Sequence, residues 1–234
     1  MSPTVILIRH GQALHNINQE WEIPDPELSE LGQQQCRTLE QHLRQHLPLA
    51  DKVERIITSP MRRTLETTTL GLDWLIKRGI PVEASALWQE NSNKPCDSGS
   101  PLSSVTHDFP SFDYSHVDPL WPSKTGPFAF TRTATVSRGQ SCLHDLYTSK
   151  EKVIAVVSHA GFLRCAVSLC KYSNADYRIF DFKESDGEGD LELVEVIFLV
   201  SRLRKLRSSW VDRLMGRLLR RFLGRSRKYM VEQG

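Results

Sequence analysis

The chain has 234 residues, 39% hydrophobic and 25% charged, with 30 Lys and Arg against 28 Asp and Glu for a formal charge of +2. That length and balance suit one globular domain with a sizeable core and exclude a disordered chain or a small disulfide scaffold. MSPTVILIRHGQ has no basic region ahead of its short apolar stretch, no run of 18 apolar residues follows, and the five cysteines (Cys36, Cys96, Cys142, Cys165, Cys170) form no CxxC pair. Neither a signal peptide nor a membrane span is expected, and the thiols read as reduced in a cytoplasmic protein.

In chain order, residues 4–8 (TVILI) form a short apolar run that breaks at Arg9-His10-Gly11, the pattern of a buried strand entering a loop. Ser29 offers an N-cap, and Leu39, Leu43 and Leu47 recur every four residues, so a helix is predicted over about 30–47 until Pro48. Residues 55–59 (RIITS) read as a second strand. Pro60 then begins a helix carrying Leu65, Leu72, Leu75 and Ile76, and a third strand is predicted around 81–87. Residues 91–131 hold six of the twelve prolines and no helical period, and read as a long irregular, lid-like insertion. Helical pattern resumes over about 132–149. Residues 152–158 (KVIAVVS) are the clearest buried strand, His159-Ala160-Gly161 ends it, and a helix is predicted from Phe162 to about Leu169. Two last strands, 178–182 and 191–196, flank a glycine-containing turn at 186–190. Strands alternating with helices imply an α/β sandwich on a mostly parallel sheet.

Ligands of such sheets bind beyond the carboxyl ends of the strands. Three predicted strand ends carry unusual polar groups: Arg9 and His10 after the first, Ser59 with Arg62 and Arg63 after the second, and Ser158 and His159 after the clearest one. A lone His after a strand is ordinarily a hydrogen-bonded structural residue. Two His and two or three Arg converging on one crevice call for an anion, and the planar guanidinium fork suits phosphate oxygens.

These residues resemble a family. Arg9-His10-Gly11 with Asn16 close behind, residues 59–67 (SPMRRTLET) and residues 157–163 (VSHAGFL) are similar to the signatures of the phosphatase-type branch of the histidine phosphatase superfamily, also called phosphoglycerate mutase-like. The resemblance covers residues 4 to about 196. It implies a three-layer α/β/α sandwich with His10 as nucleophile and Arg9, Arg63 and His159 around the phosphoryl group; Arg62 stands one place off the pattern. Asn16 and Gly11 join the phosphate-binding set, with His15 and Lys124 as further candidates. The family's Glu in an L-x-E context maps to Glu90, with Trp88 in place of Leu, as general acid. The family's usual G-x-W-E-G stretch does not follow it, so Asp97 is kept as the alternative acid.

The chemistry explains the residue types. A neutral imidazole attacks phosphorus through one nitrogen if the other keeps its proton, and fixed cations stabilise the equatorial oxygens. No metal or other cofactor is expected: GxxxxGK[ST] and the kinase catalytic loop are absent, and His42 and His46, four residues apart, have no accompanying ligand motif. The reading is a metal-independent phosphatase hydrolysing a phosphorylated small metabolite through a phosphohistidine on His10. A phosphoglycerate mutase is the alternative, as is a fold member recruited to specialised metabolism or to binding a phosphorylated ligand. A mutase needs further basic residues for a second anionic group, and the insertion holds only Lys94 and Lys124.

The catalytic part is assigned to residues 1–200, with net charge −7 over 1–201, while residues 202–228 carry eleven Lys and Arg against one Asp. From Trp210, Val211, Leu214, Met215, Leu218, Leu219, Phe222 and Leu223 recur at three and four residues. The segment 201–234 therefore reads as a basic amphipathic helix and tail, suited to packing, self-association or peripheral contact with an anionic membrane. No recognition fold accompanies the charge, so nucleic acid is not an expected partner.

Overall fold

The computed structural model describes residues 2–183 and 189–196. Among these, β1 (Thr4–Arg9), β2 (Arg55–Thr58), β3 (Val82–Ala84), β4 (Val153–Ser158), β5 (Tyr177–Phe182) and β6 (Leu193–Glu195) form one sheet in the order β3-β2-β4-β1-β5-β6. The first four are mutually parallel, and β5 and β6 complete the sheet as an antiparallel edge. This is the mostly parallel sheet that the alternating pattern implies. The apolar runs of β1 and β4 suit strands covered on both faces.

Strand alternation divides the core. Val5, Leu7, Ile57, Ile154, Val156 and Phe180 turn to one face and pack with Trp88, Cys142, Leu143, Leu146 and Phe162. Ile6, Ile8, Ile56, Ala155 and Val157 turn to the other, where α2 (Glu30–His46) and α3 (Arg62–Gly71) lie and bury Cys36, Leu39, Leu43 and Leu65. Ser29 caps α2 as its sequence suggests, its hydroxyl accepting from the Gly32 N–H at 3.1 Å. A one-turn helix, α1 (Leu14–Asn18), has no signal in the sequence and ends at Gln19 in the left-handed region (φ 60°).

Four expectations need correction. The helix predicted from Pro60 through Ile76 is two: α3 stops at Gly71 and α4 (Asp73–Lys77) follows. The hydroxyls of Thr67, Thr68 and Thr69 donate back to the carbonyls four residues earlier at 2.7–2.9 Å, and the β-branched run followed by glycine weakens the helix there. The third strand ends at Ala84, because residues 86–88 coil into a 3-10 turn that buries Trp88.

The insertion over 91–131 is packed. It contains α5 (Leu102–Asp108) and 3-10 turns at Pro95–Asp97 and Gly126–Phe128, and Val117, Trp121 and Phe128 form a small second core with Met61, Ala84 and Ala86. The aromatic spacing in this segment follows neither 2 nor 3.6 residues, which is why periodicity missed it.

Finally, the helix predicted over 162–169 is a single turn, α7 (Ala160–Phe162), continued by a π turn at Leu163–Val167. The Ser168 N–H reaches back five residues to the Leu163 carbonyl at 2.8 Å. This wide turn lies against α6 (Arg132–Tyr147), where a Cβ on Gly139 would stand 2.2 Å from the Ala166 carbonyl oxygen; glycine permits the approach.

β5 and β6 pair as expected, with part of the turn between them, 184–188, outside the described residues. The described residues up to Glu195 form one compact unit. The basic segment predicted over 201–234 lies outside the described residues. All five cysteines are free thiols, and no helix among the described residues is long and apolar enough to cross a membrane.

Candidate active site

Sheet register places the polar strand ends side by side. Arg9 is level with Ser158, and Thr58 with Val157, so His10, Ser59 and His159 follow directly at the carboxyl edge. The His10 N–H donates to the Ser158 carbonyl at 3.1 Å and the Ser59 N–H to that of Val157 at 3.1 Å, extending the ladder one step beyond the strands. β3 leads through the 3-10 turn to Glu90 at the same edge.

His10 is 3% exposed. Its Nδ1 lies 2.6 Å from the Gly11 carbonyl, which can only accept, so the proton is on Nδ1 and Nε2 is unprotonated. Arg63 Nε donates to that Nε2 at 3.3 Å. Burial first, then the charges of Arg63 and Arg9, hold His10 well below the usual imidazole range, so the ring is neutral. The Gly11 N–H donates to Thr67 Oγ1 at 3.1 Å, tying the loop to α3.

Arg63 is buried and held from the insertion: Nη1 donates to the Cys96 carbonyl at 2.6 Å and Nη2 to Asp97 Oδ1 at 3.1 Å. Its neighbour Arg62 turns away, to Asp108 at 2.6 Å and Ser104 at 2.9 Å, as its place off the motif suggests. Arg9 donates through Nη1 to the Tyr172 carbonyl at 2.9 Å, leaving its buried Nε unpartnered. His159 is fully buried, its ring centroid 5.2 Å from that of His10. Its Nε2 shares a hydrogen bond with Ser59 Oγ at 2.9 Å, and Nδ1 has no partner. Burial and Arg63 lower its pKa as well.

His15 lies 6.3 Å from His10, and burial with Arg63 pushes it down to about 4. Its Nε2 accepts from Asn16 Nδ2 at 2.8 Å, while Asn16 Oδ1 accepts the Ala13 N–H. Glu90 is held by two backbone donors: Oε1 accepts from the Asn91 N–H at 2.9 Å and Oε2 from that of Gly161 at 3.0 Å. Burial, then the Asp97 charge, raises the Glu90 pKa. Lys124 crosses from the insertion to donate to the Glu90 carbonyl at 2.7 Å, and burial with the Arg138 charge lowers it to about 7.

All the candidate residues thus gather at one edge. Sequence reading missed Ser59 as the partner of His159, and it missed Arg138 and Gln89. Arg138 is one buried arginine in a helix that also buries Cys142, Leu143 and Leu146, and Gln89 is fully buried with both amide atoms unpartnered. No group of three His, Cys, Asp or Glu among the described residues is placed to hold a metal; the His42 and His46 rings meet edge to face, centroids 4.9 Å apart, on α2.

A parallel sheet whose carboxyl edge gathers two neutral imidazoles, two guanidiniums and a carboxyl of raised pKa is the framework of a phosphatase-type enzyme. The model of the histidine phosphatase superfamily, branch 1, matches residues 5–185, and the chain belongs to that family. It is 32% identical over 167 residues to a Schizosaccharomyces pombe protein named "Probable phosphatase", covering 69% of this chain and 76% of that one. It is 30% identical over 203 residues to a phosphoglycerate mutase-like protein of Arabidopsis thaliana, covering 70% and 73%. Its fold is similar to that of a mycobacterial glucosyl-3-phosphoglycerate phosphatase, with TM-score 0.53, 17% identity and coverage of 84% of this chain and 99% of that one. It is likewise similar to the ecdysone phosphate phosphatase of the silkworm Bombyx mori, with TM-score 0.54, 15% identity and coverage of 80% and 98%.

Proposed function

We propose that the protein hydrolyses a phosphorylated small molecule without a metal, through a phosphohistidine on His10. The observation that carries this is the neutral, buried His10, with Nδ1–H committed to the Gly11 carbonyl and the Nε2 lone pair beside Arg63. In the first step Nε2 bonds to phosphorus as the bond to the leaving oxygen breaks, and the Glu90 carboxylic acid gives its proton to that oxygen. Arg9, Arg63 and neutral His159, with Asn16 at the rim, hold the equatorial oxygens where charge accumulates, while the Gly11 N–H, already given to Thr67 Oγ1, is not free to join them. In the second step the Glu90 carboxylate takes a proton from water, the water oxygen bonds to phosphorus, and the phosphorus–nitrogen bond breaks to restore neutral His10. His15 and Lys124 flank the leaving group.

Glu90 is favoured over Asp97 as the acid because the two are held differently. Asp97 pairs with Arg63 and accepts from Ser92 Oγ at 2.6 Å, contacts that suit an ionised anchor. Hydrolysis is favoured over mutase transfer because the insertion's two lysines are engaged: Lys94 lies 4.8 Å over the Trp21 ring and Lys124 grips the Glu90 carbonyl.

Released phosphate from a panel of phosphate monoesters tests the reaction, with the mutase reading surviving only if phosphate moves to an acceptor instead. The side-chain cations supply the charge in this scheme, so activity should persist in EDTA and be inhibited by vanadate, a mimic of five-coordinate phosphorus. Loss on chelation with recovery on adding a divalent cation would sink the metal-free scheme.

Gly161 offers a geometric check. A Cβ there would stand 2.5 Å from Glu90 Oε1, so Gly161→Ala must displace the carboxyl. The expected result is a fall of about 100-fold in rate with phosphate esters of poor leaving groups, since a shift near 1 Å costs about that much. Thermal melting should change little, and an unaltered rate would show that this contact is irrelevant.

A further inference from the structure

Arg138 on α6 is 3% exposed, and no ion pair among the described residues includes it. A buried cation without a counterion is costly unless hydrogen bonds satisfy it. Here those made by the two terminal nitrogens all go to one segment, and the buried Nε has no partner. Nη1 donates to the Leu87 carbonyl at 2.9 Å and the Gln89 carbonyl at 2.7 Å, and Nη2 to Asn91 Oδ1 at 2.9 Å. The three acceptors bracket Glu90. The guanidinium carbon also lies 4.0 Å over the Phe162 ring, next to Gly161, whose N–H holds Glu90 Oε2. One side chain therefore grips both the segment that carries the carboxyl and the turn that receives it.

We propose that Arg138 is the positioning residue for Glu90: its planar fork fixes residues 87–91 so that the carboxyl faces the leaving oxygen, without touching the substrate itself. Trp88, buried between these anchors with its carbonyl accepting from Ser158 Oγ at 2.7 Å, pins the same segment to β4 from the other side. The inference rests on Glu90 as the general acid.

The test compares an alkyl phosphate, whose alkoxide needs a proton, with p-nitrophenyl phosphate, whose phenolate does not. Arg138→Met should lower kcat/KM, which reports the first step alone, for the alkyl ester at least about tenfold more than for p-nitrophenyl phosphate, with inhibition by inorganic phosphate within about threefold of the parent, because the phosphate cradle is intact. A structural defect alone lowers both substrates together, and that result, with Glu90→Gln keeping its own selective loss, would overturn the proposal. Should Glu90→Gln show no selectivity, the acid assignment falls and this inference with it, a distinguishable outcome. Arg138→Lys keeps the charge but loses the fork, and Asn91→Ala removes one acceptor. If Arg138→Met does not fold, both must show the same selective loss in smaller degree, and equal loss on both substrates rejects the role.

Discussion

His10→Ala is expected to lower turnover by about four powers of ten or more while the protein stays folded. Removing a covalent nucleophile typically costs that much, and what remains comes from the anion cradle. The parent enzyme, denatured rapidly during turnover, should carry acid-labile phosphate, and peptide mapping should place it on His10. Phosphate on another residue, or a variant retaining more than about a hundredth of the rate, would remove His10 from its role. The pH dependence gives a second reading of the same group. Burial beside Arg63 and Arg9 lowers the His10 pKa, so the reactive unprotonated ring is present above a value well below the ordinary 6.5. Activity should therefore show no acid limb as pH falls through 6.5, where a free imidazole would already be gaining its proton.

Glu90→Gln is expected to lower kcat/KM, which reports the first step alone, with alkyl phosphates by about 100- to 10,000-fold, the range of a lost general acid, and with p-nitrophenyl phosphate far less. The carboxyl must be protonated to serve the first step. Its pKa is raised by burial and by Asp97, so the competent form is present below that raised value and is lost as pH rises through it. The parent should accordingly show a basic limb in kcat/KM for alkyl esters, displaced upward from the ordinary carboxylate range, and Glu90→Gln should abolish that limb. Asp97→Asn acts through Arg63, which it anchors at 3.1 Å, and should weaken both substrates alike. If Asp97→Asn instead shows the selective pattern, the two carboxyls exchange roles.

The division between what was legible and what was hidden follows the range of the forces involved. β1 and β4 announce themselves because apolar runs that break at Arg-His-Gly and Ser-His-Ala-Gly have one low-energy arrangement, a strand buried on both faces ending in a polar loop. Ser29 is readable as a cap because it serves a backbone donor three residues away. His10, Arg63 and His159, the residues proposed for the chemistry, likewise lie in short motifs that follow strands.

By itself, the amino-acid sequence determined the alternating strand-helix order, the mostly parallel sheet and the residue types that meet at its carboxyl edge, since each depends on neighbours within a few positions. Only the tertiary structure decided which nitrogen of His10 is unprotonated, how Asp97 and the Cys96 carbonyl hold Arg63 and that Lys124 folds back onto Glu90. It also decided that Arg138, 48 positions along the chain from Glu90, grips the segment around it. Those contacts join residues from about 30 to 50 positions apart, or depend on a backbone carbonyl placed by the loop, and they exist only after the sheet has closed the distance. A side-chain hydrogen bond leaves no periodic trace in the sequence, because its partner is a single polar group whose position the whole core sets.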